Sequence, residues 1–151
     1  MRILLAIDGF PPSLAAVDEV CSRPWPAGSE VRLVNVRSPV ESMLLKEASH
    51  LPMLHDQIFE HPVWKDVKFL DDAAAALERL APELKVTPVL LEGRAKDAIL
   101  DEAEQWDADL IMVGSHGSGI IKHIFLGSVS LAVAVNAKCS VEIVRNKDNS
   151  V

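Results

Sequence analysis

Five short strand-like runs punctuate the chain: RILLAI (2–7), EVRLVNV (30–36), VTPVLL (86–91), DLIMV (109–113) and SVEIVR (140–145). Longer stretches separate them. This alternation constrains the fold more than any other feature. Apolar runs without a 3.6-residue period read as strands buried on both faces, and parallel sheets bury both faces because crossover helices cover them. The stretches between supply such helices. Leu14, Val17 and Cys21 suit one face over 13–22. Val63, Val67, Leu70, Ala74 and Leu77 recur at helical spacing, and that helix is expected to run to about Leu84, bracketed by Pro82 and Pro88. Ala95, Ile99, Ala103 and Trp106 line up over 95–106. Two segments stay open. Residues 37–61, with Ser38-Pro39, Leu51-Pro52 and His61-Pro62, read as a loop with short helical pieces. Residues 128–137 alternate like a strand, yet Ser128 after Gly127 is a good helix start. Pro88 cannot donate to a ladder and points to an edge-like position for its strand. The pattern predicts a single-domain α/β fold built on a parallel sheet, with residues 1–145 as the domain and 146–151 as a polar tail.

A length of 151 residues suits one domain, and a chain of this size buries roughly 70% of its unfolded surface without a disulfide or metal. The net charge is −7 and the pI about 5.2. An acidic surface argues against nucleic-acid binding and against a polybasic membrane-surface mode. The longest apolar runs are about five residues, where roughly 20 are needed to span a bilayer. The apolar run Ile3–Ile7 is too short for a signal-peptide core, so the expected location is cytoplasmic. Cys21 and Cys139 form no CxxC and no zinc spacing, and read as reduced, buried thiols. His50, His55 and His61 lack the i, i+4 spacing of a helical metal pair, so no metal ligand is assigned. Trp25, Trp64 and Trp106 read as packing residues.

Chemistry concentrates in GSHGSGIIKHIFLGS, residues 114–128. Its glycines let the backbone approach a ligand, and Gly127-Ser128 opens a candidate helix whose free N–H groups and positive dipole end favour a phosphate. No acidic residue stands between Asp109 and Glu142, while His116, Lys122, His123 and Lys138 fall inside that interval. An anion site in an acidic protein would look like this, and burial of a strand and a helix is the competing explanation for much of the gap. The spacing is not GxxxxGK[ST], and no GxGxxG follows the first strand. In open parallel sheets ligands bind beyond the carboxyl ends of the strands, which directs attention to the loops after strands one and four.

The run Gly114-x2-Gly117-x9-Gly127-Ser128 resembles the nucleotide-binding pattern of the universal stress protein family. The likeness extends over nearly the whole chain: the opening RILLAIDG, Asn35-Val36, Glu92-Gly93, and Ala108 to Gly114. It implies five parallel strands in the order 3-2-1-4-5, helices on both faces (Rossmann-like), and a homodimer, commonly through the last strand, here Val141 and Ile143. It further implies that the chain binds ATP, with adenine near Ala6, Ile7, Asp8 and Val36. The ribose and phosphates would meet Val113, Gly114, His116 and Gly117, and the phosphate chain would rest on Gly127, Ser128 and Val129. Mg²⁺, if bound, would be held through the phosphates and water.

Residue by residue, plainer roles compete. Asp8 is a nucleotide ligand or the cap of the next helix, and His116 touches phosphate or is a solvated loop residue. Lys122 and His123 face solvent or steer phosphate, and the Asp71-Asp72 pair lies at a helix start or on a solvated face. Three departures from the family pattern stand out. Phe10-Pro11-Pro12 replaces small polar residues after the first strand, so Phe10 could fill or cover the adenine end. Ser140 stands where a proline is frequent. Glu142 puts a charge in the last strand, where it could guard the edge against pairing. A receiver domain would need clustered acids after the first strand, and a flavodoxin a Ser/Thr-rich loop there; neither is present. The expected function is an ATP-binding regulatory module of the stress response. The alternatives are a weak ATP hydrolase, with no catalytic residue assignable, and a nucleotide-free relative acting by protein contact.

Overall fold

The computed structural model describes residues 1–40, 42–43, 62–117 and 126–146. Within them lie β1 (Arg2–Ala6), α1 (Pro11–Ser22), β2 (Glu30–Arg37), α2 (Pro62–Leu80), β3 (Lys85–Glu92), α3 (Ala95–Gln105), β4 (Leu110–Gly114), α4 (Ser128–Asn136) and β5 (Ser140–Val144). All strand pairs are parallel and the sheet order is β3-β2-β1-β4-β5. β1 sits in the middle, paired with β2 from Arg2↔Glu30 to Ala6↔Val34 and with β4 from Ile3↔Leu110 to Ala6↔Val113. The chain winds outward from β1 to β3, then crosses to β4 on the other side. The strand order therefore reverses between β1 and β4, the place where such sheets open a crevice.

The period-2 alternation of strand side chains divides the core into two. On one face Ile3, Leu5, Leu33 and Met112 pack beneath Ala16, Val17 and Val20 of α1 and Leu70, Ala74 and Leu77 of α2. On the other, Leu4, Val34, Ile111 and Val113 meet Ile99 and Ala103 of α3 and Val133 of α4. Trp25 and Trp106 are packing residues, each against one core and each carrying a guanidinium over its ring: Arg23 at 5.2 Å and Arg32 at 4.5 Å. Both cysteines are free thiols, and burial is the main cause that pushes each above its ordinary pKa.

Several boundaries differ from the sequence expectation. α1 begins at Pro11, with prolines in its first two positions, where a missing N–H costs nothing. Its buried stripe is Ser13, Ala16, Val17 and Val20, whereas Leu14 is 40% exposed. The cause is the close seat of its first turn on β4: a Cβ added at Gly114 would lie 2.7 Å from the Pro12 carbonyl carbon and from the Ser13 nitrogen. α2 stops at Leu80, four residues earlier than expected, since Pro82 cannot continue it. The open segment 128–137 is a helix. β3 is an outer strand, where Pro88 is tolerated. Asp71 and Asp72 lie within α2, on its exposed face. The edge-guard role for Glu142 gives way to an ion pair. Its carboxylate takes two 2.7 Å hydrogen bonds from the Arg23 guanidinium, which also reaches Glu19, so the charge ties the edge strand to α1. His50, His55, His61, Lys122, His123 and the Trp64 side chain lie outside the described residues, as does most of 37–61. Among the described residues no helix is long and apolar enough to cross a membrane, and no cluster of His, Cys, Asp or Glu could hold a metal.

Candidate functional site: a cleft at the switch point

A cavity of about 620 Å³ opens where β1 and β4 end. Its floor is apolar and comes from strand ends: Ala6 and Ile7, Val36 of β2 and Val113 of β4. Asp8 and Phe10 stand on the loop after β1. Gly114, His116 and Gly117 follow β4, and Gly127, Ser128 and Val129 form the start of α4. The eleven residues singled out from the sequence all line this one cavity.

The loop after β1 is held from within. Gly9 takes a φ of +83°, a conformation that favours glycine. The Phe10 N–H donates to Asp8 Oδ1 at 3.0 Å, and the Asp8 N–H donates to Ser13 Oγ at 3.2 Å. The Ser13 hydroxyl donates in turn to the Phe10 carbonyl. Asp8 thus serves the turn with one oxygen. The other reaches across to the β4 loop, where a Cβ at Gly117 would come within 2.7 Å of Oδ2. Phe10 stands at the rim, 41% exposed, and does not fill the cavity.

The loop after β4 is held by its own backbone. The Ser115 N–H donates to the Val144 carbonyl, and the Ser115 carbonyl accepts from the Gly127 N–H, both at 2.8 Å. The Ser130 hydroxyl donates to the same carbonyl at 2.9 Å. This brings Gly127 against His116: a Cβ there would sit 3.0 Å from His116 Cα and 3.4 Å from Ser130 Oγ. α4 then starts with no side-chain cap and no acid in its first turn. Backbone donors at a helix start, left without a capping side chain, accommodate an anion, while the apolar floor suits a flat ring.

The list drawn from the sequence lacks residues that the cavity includes. Ser13 and Ser130 are buried hydroxyls, each three residues beyond its helix's N-cap. Ala95 and Ile99 come from α3. Asn35 is buried and donates from Nδ2 to the Ile7 carbonyl at 2.8 Å, fixing the chain where it leaves β1. Its signal was legible: it is the lone amide in an apolar strand.

A parallel sheet in the order β3-β2-β1-β4-β5, covered by helices on both faces and cleft at its switch point, defines an α/β domain of the Rossmann-like class. Residues 1–145 match the universal stress protein family, and the chain belongs to that family. Universal stress protein A homolog 2 of Coxiella burnetii is 41% identical over 81 residues, a match spanning 52% of this chain and 55% of that one. A universal stress protein in the QAH/OAS sulfhydrylase 3' region of Thermus aquaticus is 29% identical over 143 residues, 95% of this chain and 97% of that one. Among solved structures, a universal stress protein family protein from Arabidopsis thaliana with AMP bound superposes with a TM-score of 0.71 at 16% identity, covering 100% and 95% of the two chains. A universal stress protein in complex with cAMP gives 0.66 at 22% identity, covering 97% and 98%. At these identities the likeness is one of fold.

Proposed function

We propose that this chain binds an adenine nucleotide, ATP, in the switch-point cleft and acts as a regulatory module of the stress response. The observation that carries the reading is the convergence of the apolar floor, Asp8 and the uncapped α4 start on one cavity of about 620 Å³. In this reading the base lies against Ala6, Ile7 and Val36, and Asp8 accepts from its amine or from ribose hydroxyls. Val113, Gly114, His116 and Gly117 flank the ribose and first phosphate, while the outer phosphates rest against Gly127 and take hydrogen bonds from the N–H groups of Ser128 and Val129 and from the Ser128 hydroxyl. Mg²⁺ would be carried by the phosphates and water. The structural neighbours with AMP and with cAMP support the nucleotide class. The exposure of Phe10 favours an open cleft over a nucleotide-free relative. Weak hydrolysis finds little support among the described lining residues, since phosphoryl transfer calls for a charge clamp and these include no Lys or Arg.

We read the assembly as a homodimer. β5 is an outer strand, Val141 and Ile143 are only partly buried, and α4 leaves Leu131 51% and Val135 73% exposed. Exposed apolar side chains grouped in this way fit against a partner. A nucleotide-dependent module of this sort would work in the cytoplasm, with residues 1–145 as its domain. Titration calorimetry with ATP and Mg²⁺, beside native mass spectrometry of the purified chain, tests the reading. Micromolar binding or retained adenine nucleotide is expected. No heat at millimolar ATP and no retained nucleotide would overturn it.

A further inference from the structure

Ser115 is the residue on which the phosphate side of the cleft is assembled, and its side chain has a separate task. It is 5% exposed, and its N–H and carbonyl are spent on Val144, Gly127 and Ser130. None of those bonds uses the hydroxyl. Ser115 Oγ lies 3.0 Å from Nδ1 of His116, a residue in the cavity wall. Two proton arrangements satisfy that distance. In one the hydroxyl donates to Nδ1, and the neutral imidazole carries its proton on Nε2. In the other Nδ1–H donates to Oγ, and Nε2 is a bare acceptor. The second leaves a buried hydroxyl hydrogen without an acceptor among the described residues. The first leaves only unfilled lone pairs. A buried donor without a partner is the costlier defect.

We propose that Ser115 is a positioning residue that donates to His116 Nδ1 and so commits Nε2–H, the ring nitrogen left for the cleft, to donate to a phosphate oxygen of the bound nucleotide. The inference rests on the nucleotide reading above. It specifies that His116 meets the anion as a donor whether the ring is neutral or protonated. It also separates the two halves of Ser115: the backbone builds the loop, and the hydroxyl orients the histidine.

The test has two parts. In the first, histidine ¹⁵N and ring ¹H shifts of the ligand-free chain are recorded at pH 8, with His116 assigned by comparison with His116→Gln. The expected result is an Nε2–H ring in the wild type and a tautomer mixture in Ser115→Ala. An Nδ1–H ring in the wild type, or an unchanged ring in Ser115→Ala, overturns the proposal. In the second, ATP affinity is measured for the wild type, both single variants and the double variant. Ser115→Ala is expected to weaken binding by about five-fold, the scale of one hydrogen bond, and to have no further effect in the His116→Gln background. Additive losses would mean that Ser115 does not act through His116 and would overturn the proposal. Absence of ATP binding by the wild type would overturn the nucleotide reading and the phosphate contact with it. The tautomer of the ligand-free chain tells that failure apart from a wrong role for Ser115.

Discussion

Two helices begin at the rim of the same cleft, and they begin in opposite ways. α1 and α4 each follow a strand at the carboxyl edge of the sheet, and each carries a serine three residues past its N-cap whose hydroxyl lies 3.0 Å from the N-cap carbonyl. Neither has an acid in its first turn or a side-chain cap, and there the likeness stops. α1 opens with two prolines, which have no N–H to offer, and Asp8 places a carboxylate in the turn before it. α4 opens with Gly127-Ser128, and every residue of its first turn has an N–H. One fold position therefore yields one start stripped of donors and one start that keeps them. In the proposed reading an anion is drawn to the second, and the first is left to shape the end where a base would lie. The glycine pattern matters because it leaves α4 bare as well as because it bends the chain.

The strongest test of this arrangement strikes where the first turn of α1 seats on the end of β4. Gly114→Val would drive side-chain atoms into the Pro12–Ser13 backbone, where even a Cβ lies at 2.7 Å. Backbone cannot yield as a flexible side chain can. A loss of roughly 3 kcal/mol or more in folding stability is expected, read from the urea midpoint. An unchanged midpoint would mean that α1 does not seat on β4 as described. Gly127→Val sharpens the contrast, since its backbone φ of −61° is ordinary for any residue and the conflict is confined to His116 and Ser130. The fold should survive with a loss of about 1–2 kcal/mol. ATP affinity should fall at least a hundredfold by calorimetry, with the Ser128 N–H, the Ser128 hydroxyl and the Val129 N–H, about 1 kcal/mol each, misplaced.

Ser128→Asp separates stability from binding by sign. A carboxylate in the first turn of α4 complements the helix dipole and should add about 0.5 kcal/mol, a small rise in Tm. The same charge repels phosphate, and ATP affinity should drop about tenfold or more. If the two changes share a sign, α4 is not the anion-binding start.

How much of this was legible in the sequence depends on what each residue answers to. Strand runs, their order by family resemblance, and the glycine loop are local patterns, and they located the cleft walls residue by residue. The face that α1 buries was not local. The backbone contact at Gly114 seats its first turn, so of the stripe read from periodicity Val17 is buried as expected while Leu14 gives way to Ser13 and Ala16. Ser130 and Ser13 escaped notice because a serine in an apolar helix looks like filler until its partner, the carbonyl of Ser115 or the Asp8 N–H, is known. Glu142 read as an exposed guard for the same reason. Its partner Arg23 is 119 residues away in sequence, and no local pattern announces it.

The smallest expected effect is also the most specific to the contrast between the helix starts. Pro11 is exposed and occupies the first turn of α1, so Pro11→Ala restores an N–H to a helix start that now lacks it. The variant should lose about 0.4–1 kcal/mol, since the unfolded chain regains freedom that the ring had removed. ATP affinity should stay within about twofold, because the donors that matter belong to α4 and because Asp8 still holds its carboxylate before α1. An affinity gain of tenfold would mean that the phosphate chain reaches α1 and that the prolines had been excluding it. That outcome would exchange the roles of the two helices and turn the nucleotide end for end in the cleft.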